Sequence, residues 1–186
     1  NDGDPEFSGY TAWRGTLPAD AMPEDLDSRC SGLWLGPAAH LVHYPLRGGE
    51  VVNIVAVVSS EELAPDWGES CDLGALDPFY ADWTAAPRDM IAGVGQWLRW
   101  PLYDRDPSAR WSRGRVTLLG DAAHPCLPFI AQGGATALED AAVLAAQLDA
   151  APGEPERALA AYEEKRRPRT ARLQHQARRN GRIFHM

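Results

Sequence analysis

Between Arg115 and Asp140 the chain passes from an apolar run through a stiffened loop into a helical pattern. The apolar run from Arg115 to Leu119 closes on Gly120-Asp121, the pattern of a buried strand with a carboxylate at its end. A loop stiffened by Pro125 and Pro128 follows, then Gly133-Gly134. From there Leu138, Ala141, Ala142, Ala145 and Leu148 recur at helical spacing, which predicts a helix over Gly134 to Leu148 with one buried face. Asp121 is placed to accept hydrogen bonds from ligand hydroxyls. The amides near Gly133 and Gly134 are placed to face an electron-rich group at the positive end of the helix. An ordinary turn with a capping carboxylate has the same spacing, so the pattern by itself leaves both readings open.

The remaining segments are short, as 17 Gly and 15 Pro require. Tyr10 to Leu17 reads as a strand and Ala19 to Ser31 as an acidic loop. His40 to Arg47 and Glu50 to Ser59 read as a hairpin turning at Gly48-Gly49. Asp72 to Thr84 and Pro87 to Val94 have helical composition, and Gln96 to Tyr103 is a Trp-rich strand candidate. After Gly153, Glu154 to Arg166 and Arg169 to Arg182 read as two helices, because Pro168 cannot continue a hydrogen-bond ladder. The expected fold class is α+β: a β-sheet region with helices over 1–114, a strand-loop-helix over 115–150, and C-terminal helices over 151–186.

Charge narrows the partners. With 26 acidic and 18 basic residues the net charge is -8, which opposes phosphate neutralisation and argues against nucleic acid. The segment from Glu154 onward is basic and reads as a solvated helix facing an acidic body. No apolar stretch approaches the roughly 20 residues of a membrane span, and Asn1 to Gly9 lacks the features of a secretory signal. Cys30, Cys71 and Cys126 are odd in number and widely spaced, so neither a disulfide framework nor a zinc site is indicated. A cytoplasmic location is the expectation.

Period-two alternation puts His40, Val42, Tyr44 and Leu46 on one face of their strand and Leu41, His43 and Pro45 on the other. A Gly48-Gly49 turn pairs Tyr44 with Asn53 and His40 with Val57. Val42, Val55 and Val57 then form an apolar wall among three polar groups, suited to an aromatic ring whose phenol meets His40 or Tyr44. A buried sheet with both residues satisfied locally is the alternative. His40-x-x-His43 with Asp121 and His124 supplies metal-ligand types, but residues three apart on a strand diverge, so no metal site is assigned. Ser108, Ser112 and the cysteines lie in no nucleophile pattern. Cys126 reads as a packing residue and His124 as a structural histidine. Trp34, Trp67, Trp83, Trp97, Trp100 and Trp111 read as core or interface residues without a site role.

The stretch Gly120-Asp-Ala-Ala-His124 before Pro125, with Leu127-Pro-Phe129, Ala131-Gln-Gly133 and Ala137-Leu-Glu-Asp140, resembles the second flavin-binding motif of the class A flavoprotein monooxygenases. Its likeness is greatest to the salicylate hydroxylase and 3-hydroxybenzoate 6-hydroxylase branch. The resemblance extends from Asp2-Gly-Asp-Pro5 and Trp13-Arg-Gly15 through Tyr44-Pro-Leu-Arg-Gly-Gly49 to Arg166-Arg-Pro-Arg169 and Asn180-Gly181. It matches only the later part of such an enzyme, because no G-x-G-x-x-G follows a strand. The N-terminal Rossmann half of the flavin domain is therefore expected to be absent.

The resemblance implies an oxidoreductase in which NADH or NADPH reduces FAD, molecular oxygen forms a flavin C4a-hydroperoxide, and a phenolic aromatic acid such as salicylate or a hydroxybenzoate is hydroxylated. It implies Asp121, Pro125, Ala131, Gln132, Gly133 and Gly134 as FAD-binding, with Asp121 on the ribityl chain. It implies His40, Tyr44 and Gln132 as catalytic, and Val42, Asn53, Val55 and Pro128 as substrate-binding. The missing N-terminal FAD-binding half is an implied partner, and without it the fragment is expected to be inactive. Alternatives are a flavin monooxygenase for a larger polycyclic or heteroaromatic metabolite, and a noncatalytic ligand-binding or assembly remnant of the fold. Oligomeric state stays open, a homodimer included.

Overall fold

The computed structural model describes residues 3–60, 69–71, 74 and 76–186. Trp67 and part of the helix expected over Asp72 to Thr84 lie outside the described residues. Contacts divide the chain into two compact units, Phe7–Leu102 with Ile183–Met186, and Asn1–Glu6 with Tyr103–Arg182.

The first unit is built on an antiparallel sheet. Its strands are β1 (Glu6–Pro18), β2 (Gly32–Gly36), β3 (Ala39–Leu46), β4 (Val51–Ser59), β5 (Glu69–Cys71) and β6 (Trp97–Asp104), in the order β2-β3-β4-β1-β6-β5. Alternation sorts the side chains onto two faces. Trp13 and Leu17 of β1, Leu41 of β3 and Val52, Ile54, Ala56 and Val58 of β4 form one core with Tyr80 of α1 (Asp77–Tyr80) and Met90 and Ile91 of α2 (Ala85–Gly93). The opposite face carries His40, Val42 and Tyr44 beside Val57, Val55 and Asn53, each paired in that order across β3 and β4. This register is the one the sequence implies. Gly48 and Gly49 turn the chain at φ of 70° and 97°, the left-handed conformation that a two-residue hairpin turn demands at both positions. The strand β2 is not among the strands the sequence predicts, and it lies between the acidic loop and the hairpin.

The second unit corrects three expectations. The buried strand expected over Arg115 to Leu119 is only β8 (Val116–Thr117), paired with β7 (Ser112–Arg113), and Val116 is 69% exposed. The helix α3 forms over Gly133–Ala150, but its apolar stripe faces outward: Leu138 is 75% and Leu148 43% exposed, and Ala141, Ala142 and Ala145 are exposed too. Its buried residues are Thr136 and Asp140, with Val143 and Leu144 packed against Trp111, Ala123 and Tyr162. Periodicity reports which residues share a face and says nothing of which face is covered.

The third correction is Pro168. One helix, α4, runs over Pro155–Phe184 with Pro168 inside it. The residues flanking the proline hold both halves in place, because Tyr162, Arg166, Thr170 and Gln174 are all buried at helical spacing. The basic residues of α4 do not face solvent alone. Arg169 pairs with Glu139 at 2.6 Å, and Arg178 pairs with Asp104 at 2.5 Å and Asp106 at 2.7 Å. Among the described residues no helix is long and apolar enough to cross a membrane.

Candidate functional site

In the second unit the start of α3 and the turn before it form a polar corner. Gly120 takes a positive φ of 61°, and a tight turn over Gly120–Ala122 follows, closed by the amides of Ala123 and His124 on the Gly120 carbonyl. Asp121 projects from this turn and is exposed. Its Oδ1 lies 3.9 Å from where a Cβ on Gly133 would stand, so the carboxylate sits directly beside the first residue of α3. A second short turn, Pro128–Ile130, ends at Ala131 with φ 50°. This left-handed residue swings the chain into Gln132, the residue preceding the helix, and among the described residues no side chain caps the helix start. Among the described residues, a Cβ on Gly134 would meet nothing within 4 Å. The backbone amides of the first turn are thus approachable by a flat, electron-rich group. Pro128, Ala131, Gln132 and Gly134 are exposed; Pro125 and Gly133 are half-buried.

Behind this corner lies a buried ionic cluster that the sequence reading did not find. Asp140 is 0% exposed. Its Oδ2 accepts the Gly120 amide at 3.1 Å and His124 Nε2–H at 2.5 Å, and its Oδ1 accepts Arg166 Nε–H at 2.6 Å. Arg166 donates further to Glu139 at 2.8 Å and to the Thr136 carbonyl at 3.3 Å. Burial raises the Asp140 pKa, but the hydrogen bonds from His124, Arg166 and Gly120 outweigh it and hold the carboxyl below its usual range. His124, 4% exposed and stacked near Trp111, serves this cluster. A polar pair at Thr136 and Asp140, one turn apart and opposite the apolar stripe, was the available signal. Cys126 is half-buried, its thiol pushed up to about 11 by burial, with Sγ 3.8 Å from the Leu173 carbonyl.

In the first unit the sheet face places His40, Val42, Tyr44, Asn53 and Val55 together, as the register above requires. Tyr44, Val42 and Val55 are half-buried, whereas Asn53 is 4% exposed and its Nδ2 has no hydrogen-bond partner among the described residues. His40 is 2% exposed. Its Nδ1 lies 2.6 Å from Nε2 of His185, whose Nδ1 lies 3.0 Å from Ser59 Oγ. Phe184 and Tyr10 pack edge-on against the two rings. Burial and the neighbouring His185 lower the His40 pKa to about 3, and burial lowers that of His185 to about 4. Both imidazoles are therefore neutral at pH 7. His43, on the opposite face, accepts the Trp34 indole N–H at 3.2 Å. His185 is 145 residues from His40, and no local pattern could have joined them.

Residues 91–177 match the FAD binding domain family. The chain is 43% identical over 182 residues to 3-amino-4-hydroxybenzoate 2-monooxygenase of Streptomyces cremeus, covering 98% of this chain and 45% of that protein. It is also 43% identical to 3-hydroxybenzoate 6-hydroxylase 1 of Aquipseudomonas alcaligenes, covering 93% of this chain and 44% of the relative. A salicylate hydroxylase substrate complex superimposes with a TM-score of 0.87 at 26% identity, over 100% of this chain and 49% of that one. The chain thus spans less than half the length of these two curated relatives.

Proposed function

We propose that this chain, which matches the class A FAD-dependent aromatic hydroxylase family along 98% of its length, forms the substrate-sheet and returning cofactor-loop portion of an NAD(P)H-consuming monooxygenase acting on a small phenolic aromatic acid. The observation that carries this reading is the corner at α3. An exposed carboxylate stands beside a glycine-lined, uncapped helix start, within the residues that match the FAD binding domain family. Those residues fit the cofactor. Asp121 would accept the ribityl hydroxyls, and the amides from Ala131 to Gly134, with Pro125 stiffening the loop, would face the polar edge of the ring system. FAD, reduced by NADH or NADPH, would supply the activation of molecular oxygen for ring hydroxylation.

The sheet face would hold the aromatic acid. Four residues along a strand separate His40 from Tyr44 by about 13 Å between Cα atoms, room for one benzene ring between their side chains. Val42 and Val55 would cover the ring, and the buried Asn53 amide would donate to a polar substituent. Because burial makes an imidazolium costly, His40 would meet the phenol as a neutral hydrogen-bond partner. A proton taken at Nε2 of His40 would pass on in concert, Nδ1–H to His185 and His185 Nδ1–H to Ser59 Oγ, with the half-buried Ser59 hydroxyl releasing its own hydrogen to solvent, so that neither imidazole would hold charge. On the cofactor loop, Gln132 and Pro128 are the exposed residues proposed to face the substrate.

The missing N-terminal FAD-binding half is the proposed partner of the outward stripe on α3. Leu138, Leu148 and the exposed Val116 present apolar surface of the kind that marks an interface. An FAD titration of the purified 186-residue chain, with and without the N-terminal portion of the enzyme, tests the scheme. Tight binding only in the mixture is expected. In the complete enzyme, Asp121→Ala should weaken FAD retention, while His40→Phe or Tyr44→Phe should impair hydroxylation with FAD still bound. If all three variants keep both properties, the assignment is wrong.

A further inference from the structure

We propose that Asp140 is a positioning residue that sets where the cofactor carboxylate Asp121 stands relative to the start of α3; this rests on the FAD reading above. Asp140 is fully buried, so it touches no cofactor and acts through what it holds. Its Oδ2 takes the backbone amide of Gly120 and the ring of His124, the residues immediately before Asp121 and three after it. The turn between them is closed internally by two bonds of 2.9 Å to the Gly120 carbonyl, so it moves as one piece. That piece is fastened to α3 at both ends by a single carboxylate. The fastening is reinforced where a Cβ on Gly120 would lie 3.3 Å from the Ala137 Cβ, leaving the turn little room to slide along the helix.

The geometry has a functional corollary. Asp140 lies seven residues into α3, counting from Gly133, about 10 Å along the helix axis. The first turn of the same helix carries the glycines proposed to meet the flavin ring. Asp140 therefore ties the ribityl-binding carboxylate and the ring-binding amides to one rigid rod. Arg166 supplies the charge that lets an ionised carboxylate stay buried there, through its bond to Oδ1. Without the clamp, Asp121 keeps its chemistry but loses a fixed distance to Gly133. The penalty should then fall on ligands that span both points, and a flavin without a ribityl chain should escape it.

The test compares FAD with lumiflavin, which lacks the ribityl chain, on the apo form of the full-length enzyme. Asp140→Asn removes a charge and an acceptor, and His124→Leu removes one of the two attachments. Each should raise the FAD Kd by at least about tenfold, the size of a lost charge-assisted hydrogen bond, while the lumiflavin Kd changes by less than about twofold. His124→Gln, which keeps an N–H for Asp140, should recover most of the FAD affinity. If Asp140→Asn does not fold, the His124→Leu and His124→Gln pair decides. Folded variants that hold FAD as the wild type does overturn the proposal, as does an equal loss of lumiflavin affinity. Asp121→Ala is the separate arm: undiminished FAD binding there sinks the underlying cofactor reading, whereas a loss there with intact Asp140 and His124 variants sinks the clamp alone.

Discussion

The β3–β4 hairpin and helix α3 both carry apolar residues at the period of their secondary structure, yet one apolar face is buried and the other is not. Leu41 is 0% exposed while Leu138 is 75% exposed. The difference lies in where each face finds its cover. In the hairpin the partner strand is the next one in sequence, and α1 and α2 supply the layer over Leu41, Val52 and Ile54. On α3 the side that packs is the polar one, because Asp140 and Thr136 are engaged by the turn at Gly120 and by Arg166 of α4. An apolar stripe turned outward signals a surface awaiting a partner, and a buried carboxylate beneath it signals a structure pinned by ions.

Truncating the same residue type on the two elements separates these cases most sharply. Leu41→Ala opens a cavity in a closed core and should cost about 2–5 kcal/mol. Leu138→Ala should change the stability of the 186-residue chain by less than about 0.5 kcal/mol. Urea unfolding of both variants measures this. Equal losses would mean that the α3 stripe is covered, by a second copy of the chain or otherwise, and sedimentation of the wild-type chain would then reveal the dimer. Leu138→Lys extends the contrast: it should leave the midpoint unmoved and weaken association with the N-terminal half.

The next effect in size concerns Pro168. Exposed in the middle of α4, it forfeits one helical hydrogen bond, a defect of about 3 kcal/mol in a helix interior. Its restriction of the unfolded chain returns about 0.4–1 kcal/mol. Pro168→Ala should therefore raise the stability of the second unit by roughly 2 kcal/mol, the difference of these terms, as read by thermal unfolding. A drop would show that the ring makes a contact worth more than the helix bond it removes.

How much of this was legible in the sequence follows the same division. The strand register, the turn at Gly48-Gly49 and the shared face of His40, Tyr44 and Asn53 follow from local alternation, and the structure has each of them. Where the information is nonlocal, the reading stopped short. Pro168 reads as a helix breaker because the partners of its flanking residues, Asp140 for Arg166 and the Pro125 carbonyl for Gln174, lie far off in the chain. The nearness of Asp121 to the start of α3, the corner proposed to hold the cofactor, was legible through the order of Asp121, Gly133 and Gly134. The carboxylate that holds it, Asp140, was hidden in a helix whose apolar face drew attention to the wrong side.

Smallest, and confined to the sheet unit, is the response to acid. In the unfolded chain the imidazoles of His40 and His185 take up protons near 6.5, whereas in the folded sheet burial keeps them neutral down to about 3 and about 4. Below pH 6.5 the unfolded chain therefore binds more protons than the folded one. Stability that is fully present above 6.5 should decline as the pH falls towards 4 and 3. The contribution is on the order of 1 kcal/mol per histidine once solvent screening and relaxation are allowed for. Urea midpoints at pH 7, 5.5 and 4.5 would record it. His185→Phe, which retains a ring against Tyr10 but cannot be protonated, should flatten the profile. His43→Phe, on the covered face, should leave more of the slope, because His43 stands apart from the His40–His185 pair. A profile unchanged by His185→Phe would show that the pair is not what burial makes costly to charge, and the neutral proton path proposed for His40 would fall with it.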